Sequence, residues 1–144
     1  MLFNSVKYFR SAAQLGPITK RRVRSYVSMM SNMKRNNPEV AQETYATLRG
    51  LIEELQARGV TVVLFTAPYW KAYNKQFPKT HQQQLAKNAR QLSKATGVRY
   101  YDFSDDSKFS DAPEIFANAD HLNVDGKRIF SKTIAELPEV RQAK

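Results

Sequence analysis

The run Val60-Thr61-Val62-Val63-Leu64-Phe65-Thr66 constrains this chain more than any other feature. It is β-branched and nearly unbroken in apolarity. That is the pattern of a strand buried on both faces, as in a parallel sheet. Residues 39–58 precede it and carry Val40, Thr44, Leu48, Leu51, Ile52 and Leu55 at spacings of three and four, the stripe of an amphipathic helix. Gly59 separates the two and suits the left-handed cap that ends a helix. A helix that turns at once into a buried strand belongs to an α/β architecture.

The same arrangement recurs downstream. Residues 67–79 read as a long connection, and Thr80 as the cap of a helix over 81–96 with Leu85, Ala89, Leu92 and Ala95/Thr96 inward. Gly97 ends that helix, and Val98 to Phe103 reads as a second strand. Residues 104–120 form a loop rich in Asp and Ser. A last helix covers 124–136, with Ile129, Phe130, Thr133, Ile134 and Leu137 apolar. Upstream, Gly16-Pro17 punctuates two short helices over 5–15 and 18–33. Asn36-Asn37-Pro38 is a stop, and Pro38 suits the first turn of the next helix. The alternation predicts a parallel sheet flanked by helices, with right-handed crossovers. Two strands are few beside the roughly five of an ordinary sheet. The expectation is therefore an incomplete sheet. A strand hidden in the N-terminal region, a missing N-terminal half or a second copy of the chain would complete it.

Charge divides the chain. The formal net charge is +10, yet residues 101–144 carry six Lys/Arg against nine acids, while residues 1–50 carry nine against two. The densest run is Lys20-Arg21-Arg22-Val23-Arg24. Such a run is usually a solvated helix face. It also supports a second function class, a non-catalytic basic module for nucleic acid or an anionic surface. No named nucleic-acid motif accompanies the run and no aromatics interleave with it, which argues against nucleic acid. The absence of cysteine excludes disulfides and thiolate zinc sites. No apolar stretch reaches the roughly 20 residues of a transmembrane segment. Met1 to Leu15 is interrupted by Asn4, Lys7, Arg10 and Gln14, a poor signal peptide, so the chain as written is expected in the cytoplasm.

In open α/β sheets, ligands bind beyond the carboxyl ends of the strands. Three segments converge there: Thr66 to Trp70, Asp102 to Asp106, and the loop ending at His121. The third reads Asn118-Ala119-Asp120-His121-Leu122-Asn123-Val124-Asp125-Gly126, followed by Phe130-Ser131. It resembles the catalytic-histidine block of SGNH/GDSL hydrolases. The nearest subgroup is the membrane-linked proteins of D-alanyl-lipoteichoate transfer and polysaccharide O-acetylation. The order helix, "GVTVVLFTAPYWKAYNK", helix, "GVRYYDFSDD", "HLNVDG" agrees with that subgroup over about residues 36–135.

The resemblance implies a flavodoxin-like SGNH fold. It divides the chain into a basic helical segment 1–38, the C-terminal part of the SGNH-like domain over 39–138, and a tail 139–144. It implies an esterase or acyltransferase ancestry, an ester or acylated-sugar substrate and no cofactor. It makes His121 the general base, since an imidazole titrates near neutrality. Leu122 would pack beneath His121, and Gly126 would let the next helix start close to the sheet. Relatives of this kind are often exported or membrane-linked.

The chain departs from the family pattern twice. Asn118 stands three residues before His121, where the pattern has the Asp that orients the imidazole. An amide accepts a hydrogen bond from the ring but does not stabilise the imidazolium, and the Asp-to-Asn change in a Ser-His-Asp site costs about 10⁴-fold. Asp120 is the nearby carboxylate, but adjacent side chains in an extended loop point apart. The second departure is the nucleophile. No Gly-Asp-Ser turn occurs, and Ser5, Ser11, Ser25, Ser28 and Ser31 follow no strand. Asn36 or Asn37 is a weak match to the family's asparagine donor. The expected outcome is a truncated or degenerate domain that lacks esterase activity by itself.

Other chemistry-bearing residues read more simply. His81, at a helix start with no partner at matching spacing, is expected at the surface. Asp102, Asp105, Asp106 and Asp111 do not follow the spacing of a calcium loop, so no metal site is expected. Tyr69, Trp70 and Tyr73 after the first strand leave two readings open: a patch lining the substrate, or a lid packed on the core. Tyr100, Tyr101 and Phe103 read as core strand.

Overall fold

The computed structural model describes residues 11–36 and 38–143. Ser5, Asn37 and the start of the expected helix over 5–15 lie outside them. Helix α1 spans Ala12–Asn36. Ser11 and Gln14 open it as a capping box: the Ser11 N–H donates to Gln14 Oε1 at 3.0 Å, and the Gln14 N–H to Ser11 Oγ at 3.4 Å. The expected break at Gly16-Pro17 is absent, and one helix passes through both. Pro17 lies in the second turn, where its missing N–H removes a single bond to the carbonyl of the exposed Ala13. Leu15, Thr19 and Val23, four residues apart, are all buried and hold that face on the core.

Helix α2 spans Pro38–Ala57, with proline first as anticipated. It ends in a Schellman motif. Gly59 adopts φ 76°, its N–H donates to the Gln56 carbonyl, and the Val60 N–H reaches the Leu55 carbonyl at 2.9 Å. Strand β1 is Val63–Thr66, shorter than the seven-residue run suggests. Helices α3, Lys71–Gln76, and α4, Lys79–Thr96, lead to strand β2, Arg99–Asp102. The strands pair in parallel, Val63 opposite Arg99 and Thr66 opposite Asp102. Leu64 packs with Ile52 of α2, Leu92 of α4 and Val98.

A strand buried on both faces was expected, but Phe65 is 44% exposed. Among the described residues this sheet has two strands, and its face at Phe65 is left partly open. Phe65 rests at one side against Phe130 of the last long helix, with ring centroids 5.5 Å apart. The expected connection over 67–79 contains α3, and Trp70, Tyr73 and Phe77 enter the core at helical spacing. Thr80 does not cap the next helix. Pro78 holds that position, without a side-chain hydrogen bond. Leu92 is the buried residue of α4, whereas Leu85 is 47% exposed and Ala95 is exposed.

The region 104–120 is more structured than a loop. Asp106 caps a short helix α5, Ser107–Ser110, by accepting the Lys108 N–H at 2.9 Å. A 3₁₀ turn over Pro113–Ile115 follows. Strand β3, Phe116–Asn118, then pairs antiparallel with β4, His121–Leu122. Phe109, Phe116 and Ala119 are fully buried there. Asn123 caps helix α6, Val124–Ala135, through the Gly126 N–H at 2.9 Å. Within the tail anticipated over 139–144, Glu139 to Gln142 are helical, part of α7, Pro138–Gln142. The fold is thus mixed α/β, with a two-stranded parallel sheet flanked by helices. The basic segment joins the main core through Leu15 and Val23. Among the described residues no helix is long and apolar enough to cross a membrane.

Candidate functional site

Strands β1 and β2 point the same way and end at Thr66 and Asp102. The chain beyond both ends, the β3–β4 turn and the start of α4 enclose a cavity of about 340 Å³. One wall is aromatic: Tyr26, Tyr69, Tyr73, Phe77 and Tyr100. The opposing polar groups include Asp102, Ser104, Asp120 and His121. The placement follows the general position of ligand sites in parallel sheets.

His121 opens β4 opposite Asn118 of β3, so the antiparallel pairing itself brings the two side chains together. His121 Nδ1 lies 3.0 Å from Asn118 Oδ1 and 3.2 Å from Asp120 Oδ1. Asn118 Oδ1 also accepts the Asp120 backbone N–H at 3.2 Å, so the amide turns its oxygen toward the ring. Both neighbours of Nδ1 are oxygen acceptors, which suits the tautomer that carries the ring proton on Nδ1. The ring is 61% exposed.

Asp120 was expected to point away from its neighbour. It does not: it lies in the Ala119-Asp120 turn between β3 and β4, where a side chain of α1 also reaches it. Arg22 grips Asp120 at two points, Nη2 to Oδ2 at 2.8 Å and Nε to Oδ1 at 3.2 Å. The fork fixes a carboxylate that is only 15% exposed. Its hydrogen bond and charge push the Arg22 guanidinium pKa further up. Arg22 therefore is not part of a purely solvated basic face, although Lys20, Arg21 and Arg24 are exposed. Nothing in the local sequence around His121 signals a partner 98 residues away.

Tyr69 and Tyr73 line the cavity with ring centroids 5.3 Å apart. Burial pushes both phenols above their ordinary value, and the Asp120 charge adds to the shift. Trp70 is not with them. It is buried in the core, and its backbone N–H donates to the Ala119 carbonyl at 3.0 Å. Tyr100, read as core strand, is a cavity residue whose hydroxyl meets Thr66 Oγ1 at 2.7 Å. His81, expected at the surface, is half-buried in the cavity wall against Phe77, and its Nδ1 is buried without a hydrogen-bond partner.

Among the described residues, no serine is hydrogen-bonded to His121. Ser25, Ser28 and Ser31 are exposed on α1, and Ser11 caps that helix. Ser104 lines the cavity, but its hydroxyl donates to Asp102 Oδ1 at 2.6 Å. Among the described residues, the hydrogen-bond partners of the His121 ring are Asn118 and Asp120 alone. The acidic loop is likewise engaged. Asp105 accepts from Asn74, Asp106 caps α5, and Asp111 pairs with Lys71. Among the described residues no three His, Cys, Asp or Glu side chains gather as metal ligands.

Leu122 is buried, and Gly126 is tightly enclosed. A Cβ on Gly126 would stand 2.2 Å from the Ile115 carbonyl oxygen and 3.0 Å from Leu122 Cδ2. The His-Leu-Asn-x-x-Gly stretch thus works as a local unit. His121 faces the cavity, Leu122 anchors, Asn123 caps and Gly126 permits close approach. No protein-family model, curated protein or solved structure matches this chain.

Proposed function

We propose that the chain carries the histidine half of an SGNH-type site on an incomplete flavodoxin-like unit. On this reading it binds an ester or acylated sugar and does not hydrolyse it alone. The supporting observation is the hydrogen bond from His121 Nδ1 to Asn118 Oδ1, three residues earlier, with the ring on a cavity beyond the carboxyl ends of two parallel strands. That spacing and place match a general base of the resembled family. Tyr69, partly buried on the cavity, offers a flat face for an acyl or sugar group, and Tyr73, stacked on Phe77 in the core, backs it. The missing part is a nucleophile: among the described residues no serine hydroxyl is hydrogen-bonded to the His121 ring, as a base taking its proton would require.

Incubation with p-nitrophenyl acetate tests the reading. The expected rate is the background rate, equal in the wild-type chain and in His121→Ala. Turnover that disappears in His121→Ala would contradict it. The rival reading, a basic binding module, retains the exposed Lys20, Arg21 and Arg24. Filter binding of nucleic acid under salt titration separates the two. Tight, steeply salt-dependent binding favours the rival, and no binding at moderate salt removes it.

A further inference from the structure

Asp120 lies in the turn Ala119-Asp120 that joins β3 to β4, and His121 opens β4 directly after it. Here Asp120 Oδ1 stays 3.2 Å from His121 Nδ1, and the same oxygen receives Arg22 Nε at 3.2 Å. The second oxygen is held by Arg22 Nη2 at 2.8 Å. A two-point fork fixes both the position and the plane of a carboxylate. We infer that Arg22 is a positioning residue. It holds the Asp120 carboxylate against His121 Nδ1, so that Asp120 supplies the negative charge that Asn118 lacks.

The inference rests on the reading of His121 as a base, but it concerns a feature of the ring that exists without turnover. Asn118 gives Nδ1 a neutral acceptor at 3.0 Å. Asp120 gives it an anionic one, and hydrogen bonds to charged groups are about twice as strong. Arg22 comes from α1, in which Leu15 and Val23 are buried in the main core. The orientation of the His121 ring therefore depends on the docking of a helix about 100 residues away in sequence. The run Lys20 to Arg24 acquires a structural division: Val23 enters the core, Arg22 reaches the site, and the remaining cations stay in solvent.

The tautomer of His121, read by nitrogen-15 NMR on the full chain, tests this directly. In the wild type the ring proton should reside on Nδ1. Asp120→Ala and Arg22→Ala should each shift the Nδ1–H to Nε2–H ratio by about tenfold toward Nε2–H, the scale of a charge-assisted hydrogen bond. Arg22→Lys, a point charge without the fork, should give a partial shift, and Arg22→Gln nearly the full one. The signals of His81 serve as the folding control. Arg22 is 44% exposed, and should the alanine variant misfold, the Lys and Gln variants carry the comparison. An unchanged ratio in folded Asp120→Ala, or a ratio in folded Arg22 variants equal to the wild type, overturns the inference. Esterase assays fail or succeed independently of this result, so the two proposals are separable.

Discussion

Gly126 of α6 stands so close to Ile115 that a single added carbon would meet the Ile115 carbonyl oxygen at 2.2 Å. The oxygen belongs to a backbone that also accepts the Asn123 N–H at 2.9 Å, so it has little freedom to retreat. Gly126→Ala should therefore destabilise the chain by about 1–3 kcal/mol, the usual scale of overpacking. Gly50 gives the contrast. It is exposed on α2, and nothing lies within 4 Å of its missing Cβ. Gly50→Ala should stabilise by about 0.5–1 kcal/mol. Urea unfolding of both variants checks the pair, and equal effects would contradict the close-packing account.

The pH dependence has two arms. Glu139 of α7 accepts the Tyr101 hydroxyl at 2.7 Å, and that hydrogen bond, helped by Arg99, holds its carboxyl below the ordinary value. A depressed folded-state pKa gives stability that is present above the unfolded value of about 4.3 and is lost as pH falls through the folded one. Tyr101 is raised by the same bond to Glu139. Burial likewise raises Tyr69, Tyr73 and Tyr100. Their contribution is present below the unfolded phenol value of about 10 and is lost as pH rises beyond it. Thermal melts across pH should show both declines, and Glu139→Gln should flatten the acid arm. A melt unchanged on the alkaline side would contradict the burial of these rings.

Core substitutions should separate the aromatic residues by depth. Phe116 and Phe109 are fully buried, and replacement of either by Ala should cost about 3–5 kcal/mol. Phe65, although in β1, is 44% exposed and should cost less than either. Denaturant midpoints of the three variants provide the check. A Phe65→Ala loss as large as that of Phe116→Ala would show that the narrow sheet is better covered than its exposure indicates.

The sequence made the long periodic elements legible. Helix α2, its Gly59 cap, helix α4, the two parallel strands and helix α6 all follow from local pattern. The elements that were missed are short or held by distant partners. Helix α3 is one turn and a half, and its aromatic spacing overlaps a strand end. Strands β3 and β4 have three and two residues, too few for any periodicity. The apparent break at Gly16-Pro17 failed because burial of Leu15 and Thr19 outweighs one lost hydrogen bond. At the site, His121 and Asn118 were readable because they are three residues apart. Arg22, His81 and Tyr100 were not readable as site residues, because tertiary packing alone assembles them.

Placing at position 118 the carboxylate of the resembled family should not by itself give esterase activity. Asn118→Asp would place an anion where the amide oxygen now lies 3.0 Å from His121 Nδ1. With no described serine hydrogen-bonded to His121, p-nitrophenyl acetate turnover should remain at background. His121-dependent turnover in Asn118→Asp would show that the orienting group, and not the nucleophile, is the missing part.

On the proposed function, the His121 cavity receives an ester or acylated sugar. The most direct measurement is an NMR titration of the full chain with an O-acetylated sugar. The account predicts saturable shifts at His121, Tyr69, Tyr73 and Tyr100, reduced in Tyr73→Ala, while Lys20, Arg21 and Arg24 on α1 do not respond. Absence of shifts in the cavity, together with saturable shifts on that basic face when nucleic acid or anionic vesicles are added, would contradict it.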